Sequence, residues 1–150
     1  MKRYLEDFQP GEVIEVGSHT FTKDEIVDFA TRYDPQPFHM DEQAARKSPW
    51  GGLIASGWHT IGILMRLNVE TYIAGAASLG SPGIDEIRFL RPVRPGDTIR
   101  GRTTVLEVAP SRSKADRGHI LARNEGFNQK GELVISFVGR GIYFRRPSSG

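Results

Sequence analysis

From Gly57 the segment GWHTIGILMRLNVETYI reads as one helix ending near Ile73, before the small-residue stretch Ala74 to Ala77. Trp58, Ile61, Met65, Val69 and Tyr72 form a stripe, and Ile63, Leu64 and Leu67 widen it well past a half-buried face. A helix that is apolar almost all round has to sit inside something. The rest of the chain must therefore supply a wrap, and its second half has the material. Ile84–Val93, Thr98–Val108, His119–Phe127 and Leu133–Phe144 read as strands, the later three long and alternating. Arg94–Asp97 is a turn, and Asn128–Gly131 joins the last two strands as a hairpin. Glu12–Phe21 is a further strand ahead of the helices. The order predicts an α+β fold, an antiparallel sheet wrapped around a long central helix. The 150 residues fit one domain spanning 1–150, with 145–150 as a frayed tail. A single sheet covers only one side of the helix, so a partner subunit is expected on the other.

Thr22 and Glu25 make a capping box for a first helix over Lys23–Tyr33. That helix must stop there, because Pro35 disfavours helical backbone at Asp34. Asp41 can cap a short second helix through Gln43–Arg46, which Pro49, Gly51 and Gly52 break. Gly139 and Gly141 suggest a bulge or a close backbone approach in the final strand.

Composition removes several function classes. With no cysteine there is no thiol nucleophile, disulfide or zinc finger. The net charge is +2, and the small clusters Arg88/Arg91/Arg94 and Arg112/Lys114/Arg117 can meet an anion. They form no basic stripe, so nucleic acid is not expected as a partner. The longest uncharged run, Ser48 to Met65, is too polar and interrupted to span a bilayer. The start, MKRYLEDFQPGE, has no apolar signal region, and the expected location is the cytoplasm.

The chemistry is concentrated between residues 33 and 60. Asp34 and His39 stand five positions apart with Pro35 and Pro37 between them. Neither proline has an N–H and both fix φ near −65°, so the segment should join neither a helix nor a central strand. It reads as a stiff bracket holding a carboxylate and an imidazole at a set separation. Such a pair can hold one water and manage its protons, the imidazole titrating near neutral pH. Neither side chain is given a packing role. Gly57 stands at the predicted helix start, where N–H groups are unpaired and negative charge is favoured. Plainer readings stand beside these. Asp34 can be a turn residue, His39 a structural histidine, and Gly57 a glycine forced by crowding. Asp34, His39, Asp41 and His59 can also be read as metal ligands, though their spacing matches no metal motif. His59 is read as structural or pocket-lining, and Trp58, Ile61 and Met65 as core rather than acyl pocket.

In these residues the chain resembles the hot-dog-fold MaoC-like dehydratases, also called R-specific enoyl-CoA hydratases. The resemblance rests on Asp34-Pro35-Gln36-Pro37-Phe38-His39, then Ala44 and Ala45, then Gly57, and on IRFLRPVRPGDTIRG over 87–101. The chain departs from the family pattern at Tyr33, where glycine is frequent, and at Gln36, where asparagine is usual. The resemblance implies a lyase of fatty acid metabolism that hydrates a trans-2-enoyl-CoA to the 3R-hydroxyacyl-CoA, or runs the reverse dehydration. Asp34 and His39 would activate the water, and Gly57 would be the oxyanion hole. Gln36, Pro37 and Ser56 would support the site, and no cofactor or metal would be needed. A homodimer, or a higher assembly, is expected. Two alternatives remain open: a hot-dog acyl-CoA thioesterase, and a non-catalytic acyl-CoA-binding protein. Chain length, branching and the choice of CoA or acyl carrier protein are not legible.

Overall fold

A computed structural model of the chain describes residues 2–148. Its elements run β1 (Val13–Thr20), α1 (Lys23–Tyr33), α2 (Pro37–Met40), α3 (Glu42–Lys47), α4 (Gly57–Asn68), β2 (Ile84–Phe89), β3 (Thr98–Pro110), β4 (Arg117–Phe127) and β5 (Leu133–Phe144). The strands form one antiparallel sheet in the order β1-β3-β4-β5-β2, and α4 packs against it. The architecture is the expected hot-dog. The capping box that opens α1 is complete: Thr22 Oγ1 accepts from the Glu25 N–H at 3.2 Å, and Glu25 accepts from the Thr22 N–H at 2.7 Å. After Asn68 the central helix does not stop but widens into a π-helical turn over Val69–Ile73, which carries it to the expected end.

Leu64 and Leu67 enter the core with Val16, Phe21, Ile99, Ile135 and Phe137. The sheet can close this tightly because Gly101 has no side chain. A Cβ there would stand 2.6 Å from Val16 Cγ2 and 3.1 Å from Leu64 Cδ2. The face of α4 turned inward is His59, Thr60, Leu64, Leu67 and Asn68. This corrects the core reading of Trp58 and Met65, which are 60% and 49% exposed; Ile61 is half-buried against the core. The helix is apolar on both sides, so its own pattern could not say which side the sheet takes.

Further differences have local causes. β2 ends at Phe89 rather than Val93: the Leu90 and Arg91 N–H groups both turn to the Val134 carbonyl, and Pro92 has no N–H to continue a ladder. As the edge strand it is almost wholly exposed. β5 holds its register with β4 through Gly139 and Gly141, so no bulge lies there. The breaks fall at Glu15/Gly17, Asp85/Arg88, Val105/Glu107 and Gly126/Phe127. Gly141 instead makes room for the Tyr143 ring, 2.8 Å from where a Cβ would stand. The amino-terminal segment, read only for its lack of a signal, folds over Leu5–Asp7 and buries Leu5 and Phe8 against Val105, Ile120 and Tyr143. Arg145 and Arg146 of the expected tail pair with Glu6 and Asp7; Ser149 and Gly150 lie outside the described residues. No helix among the described residues is long and apolar enough to cross a membrane.

Candidate active site

Asp34 caps the carboxyl end of α1, its N–H bonded to Ala30 O and its backbone already out of the helical region. Three residues on, the chain does what the prolines were expected to forbid. Pro37–Met40 forms a single helical turn, α2, with Gln36 as its N-cap. Proline is acceptable at a first helical position, because the N–H it lacks would have no partner there. The bracket is therefore a helix end, a two-residue link and a helical start, not an extended strap. This turn lifts His39 into the interior, where it is only 5% exposed.

The surroundings of His39 assign its protons. Nδ1 lies 2.7 Å from Ile54 O, and a carbonyl only accepts, so Nδ1 carries a hydrogen. Nε2 is then the nitrogen free to gain and lose a proton, and it stands 3.3 Å from Asp34 Oδ2. Asp34 Oδ1 accepts from Gln36 Nε2 at 2.7 Å, and Oδ2 accepts from Ser56 Oγ at 2.7 Å. Burial alone would raise this carboxyl, but the Gln36 and Ser56 hydrogen bonds and the nearby His39 together hold it below the ordinary 3.8. Asp34 is thus a carboxylate kept in place by two donors, facing Nε2 of the imidazole.

Ser56 links the pair to the central helix. It is fully buried, caps α4 by accepting from the Trp58 N–H at 3.3 Å, and spends its own hydrogen on Asp34. Gly57 follows as the first helical residue, and among the described residues its N–H meets no acceptor. Gly57, His39, Thr60 and the Phe38, Ile54 and Phe89 side chains line one cavity of about 270 Å³. The structure therefore gathers Asp34, Gln36, His39, Ser56 and Gly57 in one place, with Pro37 starting the turn that delivers His39. An imidazole and an unpaired helix N–H on one cavity, with a carboxylate 3.3 Å from that imidazole, can activate a water and receive negative charge.

Three features of the site are not visible in the sequence pattern. The Ile54 carbonyl sets the His39 tautomer, yet a backbone oxygen leaves no side-chain signal. Phe89, 32 positions beyond Gly57, lies against it: a Cβ on Gly57 would stand less than 3.0 Å from three carbons of that ring. Crowding at the helix start is therefore real, and it coexists with the free N–H. His39 also has a packing role after all, through its burial and its bond to Ile54.

His59 belongs elsewhere. Its ring stacks on Phe29 with centroids 4.9 Å apart, meets Phe21 edge-on, and puts Nε2 3.9 Å from Glu25. Burial lowers its pKa, with Glu25 opposing and His19 adding to the shift, so it is a neutral packing imidazole. Among the described residues no three His, Asp or Glu side chains gather as a metal site requires.

Comparison with known proteins sets this geometry in context. The family model described as MaoC like domain matches residues 7–124. The crystal structure of the MaoC-like dehydratase from Rhodospirillum rubrum superposes with a TM-score of 0.88 at 41% identity, over 97% of this chain and 99% of that one. The uncharacterized protein YdeM of Bacillus subtilis is 32% identical over 137 residues, 87% of this chain and 96% of its own length. The 3-hydroxybutyryl-CoA dehydratase of Methylorubrum extorquens is 31% identical over 114 residues, 75% of this chain and 69% of its own.

Proposed function

This chain belongs to the MaoC-like dehydratase family, and on that premise we propose that it is a hydro-lyase adding water to a trans-2-enoyl-CoA thioester, or removing it from the 3R-hydroxyacyl-CoA. The observation that carries the reading is the pairing of Asp34 Oδ2 with His39 Nε2 at 3.3 Å, His39 lining the same cavity as Gly57. Attack at C3 needs a base for the water, a proton for C2 and a counterweight for the charge on the thioester oxygen. Asp34, held anionic, aims the water. His39 Nε2 exchanges the proton while Nδ1 stays committed to Ile54. The Gly57 N–H, at the positive end of α4, receives the oxygen. The dehydratase name of the M. extorquens relative points the same way.

The test is a panel of enoyl-CoA thioesters of graded length and branching. Loss of the conjugated-thioester absorbance reports hydration; a thiol reagent in the same wells reports hydrolysis. Thiol release without loss of conjugation would replace this reading by the thioesterase. Ligand binding without either would leave an acyl-CoA-binding protein.

Two site variants give graded outcomes. Gly57→Ala should keep the fold, because the ring it meets is on an exposed edge strand and can swing, but turnover should fall as the displaced Phe89 crowds the cavity. Unchanged turnover on every accepted substrate removes Gly57 from the site. Ser56→Ala takes away one of the two donors that hold Asp34 low, so the carboxyl should rise and the acid limb of the kcat/KM profile should move to higher pH. An acid limb that stays put shows that Ser56 serves only as a cap.

The same ionisation contributes to stability. With its folded pKa depressed, Asp34 favours the fold above its unfolded value near 3.8, and this contribution is lost as pH falls through the folded value. The melting-temperature gap between the parent and Asp34→Asn should therefore narrow as the pH is lowered past that range. A gap independent of pH would deny Asp34 its depressed pKa.

We also propose a homodimer. The exposed side of α4, with Trp58 and Met65, and the unpaired edge of β2, with Ile84, leave apolar surface that a second copy would cover.

A further inference from the structure

The cavity beside His39 has unequal walls. Phe38, Ile54, Val134 and Ile135 are buried or half-buried parts of the domain body. Phe89, like Trp50 and Leu90 of the same lining, is exposed, at 54%, but its ring alone of the three lies directly against Gly57. It stands at the end of the edge strand, whose ladder to β5 is broken between Asp85 and Arg88 and whose Glu86 has φ +54°. Beyond the ring, the Leu90 N–H returns to Val134 O at 2.8 Å and closes the strand. Phe89 is thus a large apolar group, anchored through backbone on one side only, at the point where the first turn of α4 meets the cavity.

We propose that Phe89 determines specificity at C2 of the acyl group, admitting an unsubstituted C2 and excluding a branched one; this rests on the hydro-lyase reading above. With the thioester oxygen at the Gly57 N–H and C3 toward the Asp34–His39 pair, C2 lies between the two. A substituent on C2 that points away from the acid–base pair points at the wall beside Gly57, and the Phe89 ring fills that space. One methyl group in an apolar pocket is worth roughly 10- to 200-fold in discrimination. A side chain that merely packed the strand would affect all substrates alike; a wall at C2 changes their ratio.

The experiment compares kcat/KM for trans-2-butenoyl-CoA and its 2-methyl derivative with the parent, Phe89→Ala and Phe89→Leu. Light scattering and circular dichroism check that each variant keeps the parent's mass and fold. The parent should favour the unbranched thioester. The branched-to-unbranched ratio should rise about tenfold or more in Phe89→Ala and less in Phe89→Leu, which keeps more of the packing. A ratio unchanged in both folded variants, with the two rates falling together, overturns the assignment while leaving the hydro-lyase reading intact. A parent that takes both thioesters equally well overturns it too. A parent that hydrates neither, nor any member of the wider panel, removes the hydro-lyase reading and this inference with it.

Discussion

Asp34→Asn and His39→Gln should each lower hydration of a good enoyl-CoA substrate by roughly 10² to 10⁴, the range for a lost general acid or base. The double variant should be little worse than either single, because residues acting as a unit are grossly non-additive. The geometry explains why they form a unit. Asp34 Oδ2 faces His39 Nε2, while each partner's other polar atom is committed, Nδ1 to Ile54 O and Oδ1 to Gln36. Asparagine keeps the shape but offers no charge to aim a water or to support a protonated ring. Glutamine keeps polar bulk but cannot exchange a proton near neutral pH. Binding of an unreactive acyl-CoA should be largely kept. Because His39 is buried and bonded to Ile54 O, its replacement should also cost some melting temperature, and Asp34→Asn should cost some near neutral pH, where the contribution of the depressed carboxyl is present in full. Folded single variants that hydrate at near the parent rate would reduce the Asp34–His39 pair to a turn and a packing histidine, and the binding-protein reading would then lead.

Met65→Glu or Trp58→Glu should convert a dimer to monomers. Light scattering on the parent at micromolar concentration should give twice the chain mass. In the isolated chain both side chains are exposed, so a carboxylate there costs the monomer fold little. In an assembly that covers this face of α4, the same carboxylate would be buried without a partner. At an interface hot spot that is worth about 2 kcal/mol or more, or roughly 30-fold in Kd. Activity should fall with the dimer, since α4 carries Gly57 at its start and Trp58 and Met65 on its exposed face. A parent that is monomeric and fully active would show that the apolar face of α4 has some other use.

The limits of legibility follow from the range of the forces involved. α1 was readable to the residue because its start is set by Thr22 and Glu25 and its end by Pro35, all within a few positions. β5 was readable because its neighbours in sequence alternate as a half-buried strand should. The spacing of Asp34 and His39, with Gly57 at a helix start, was readable for the same reason: stiff residues and caps act locally.

Other features were decided only by tertiary contact. The burial of Leu64 and Leu67, with Trp58 and Met65 left out, was set by β1 and β3 bringing Val16 and Gly101 to one side of a helix that is apolar on both. The helical turn at Pro37 is locally permitted but not locally required; it forms where His39 can reach the Ile54 carbonyl, 15 residues away. The lowered pKa of Asp34 rests in part on Ser56, 22 residues away, and the crowding at Gly57 on Phe89. Local chemistry thus chose the residues and their spacing. Contacts between groups far apart in the chain set the orientation of the helix, the tautomer of the imidazole and the shape of the cavity, because each needs a partner that no short window of sequence contains.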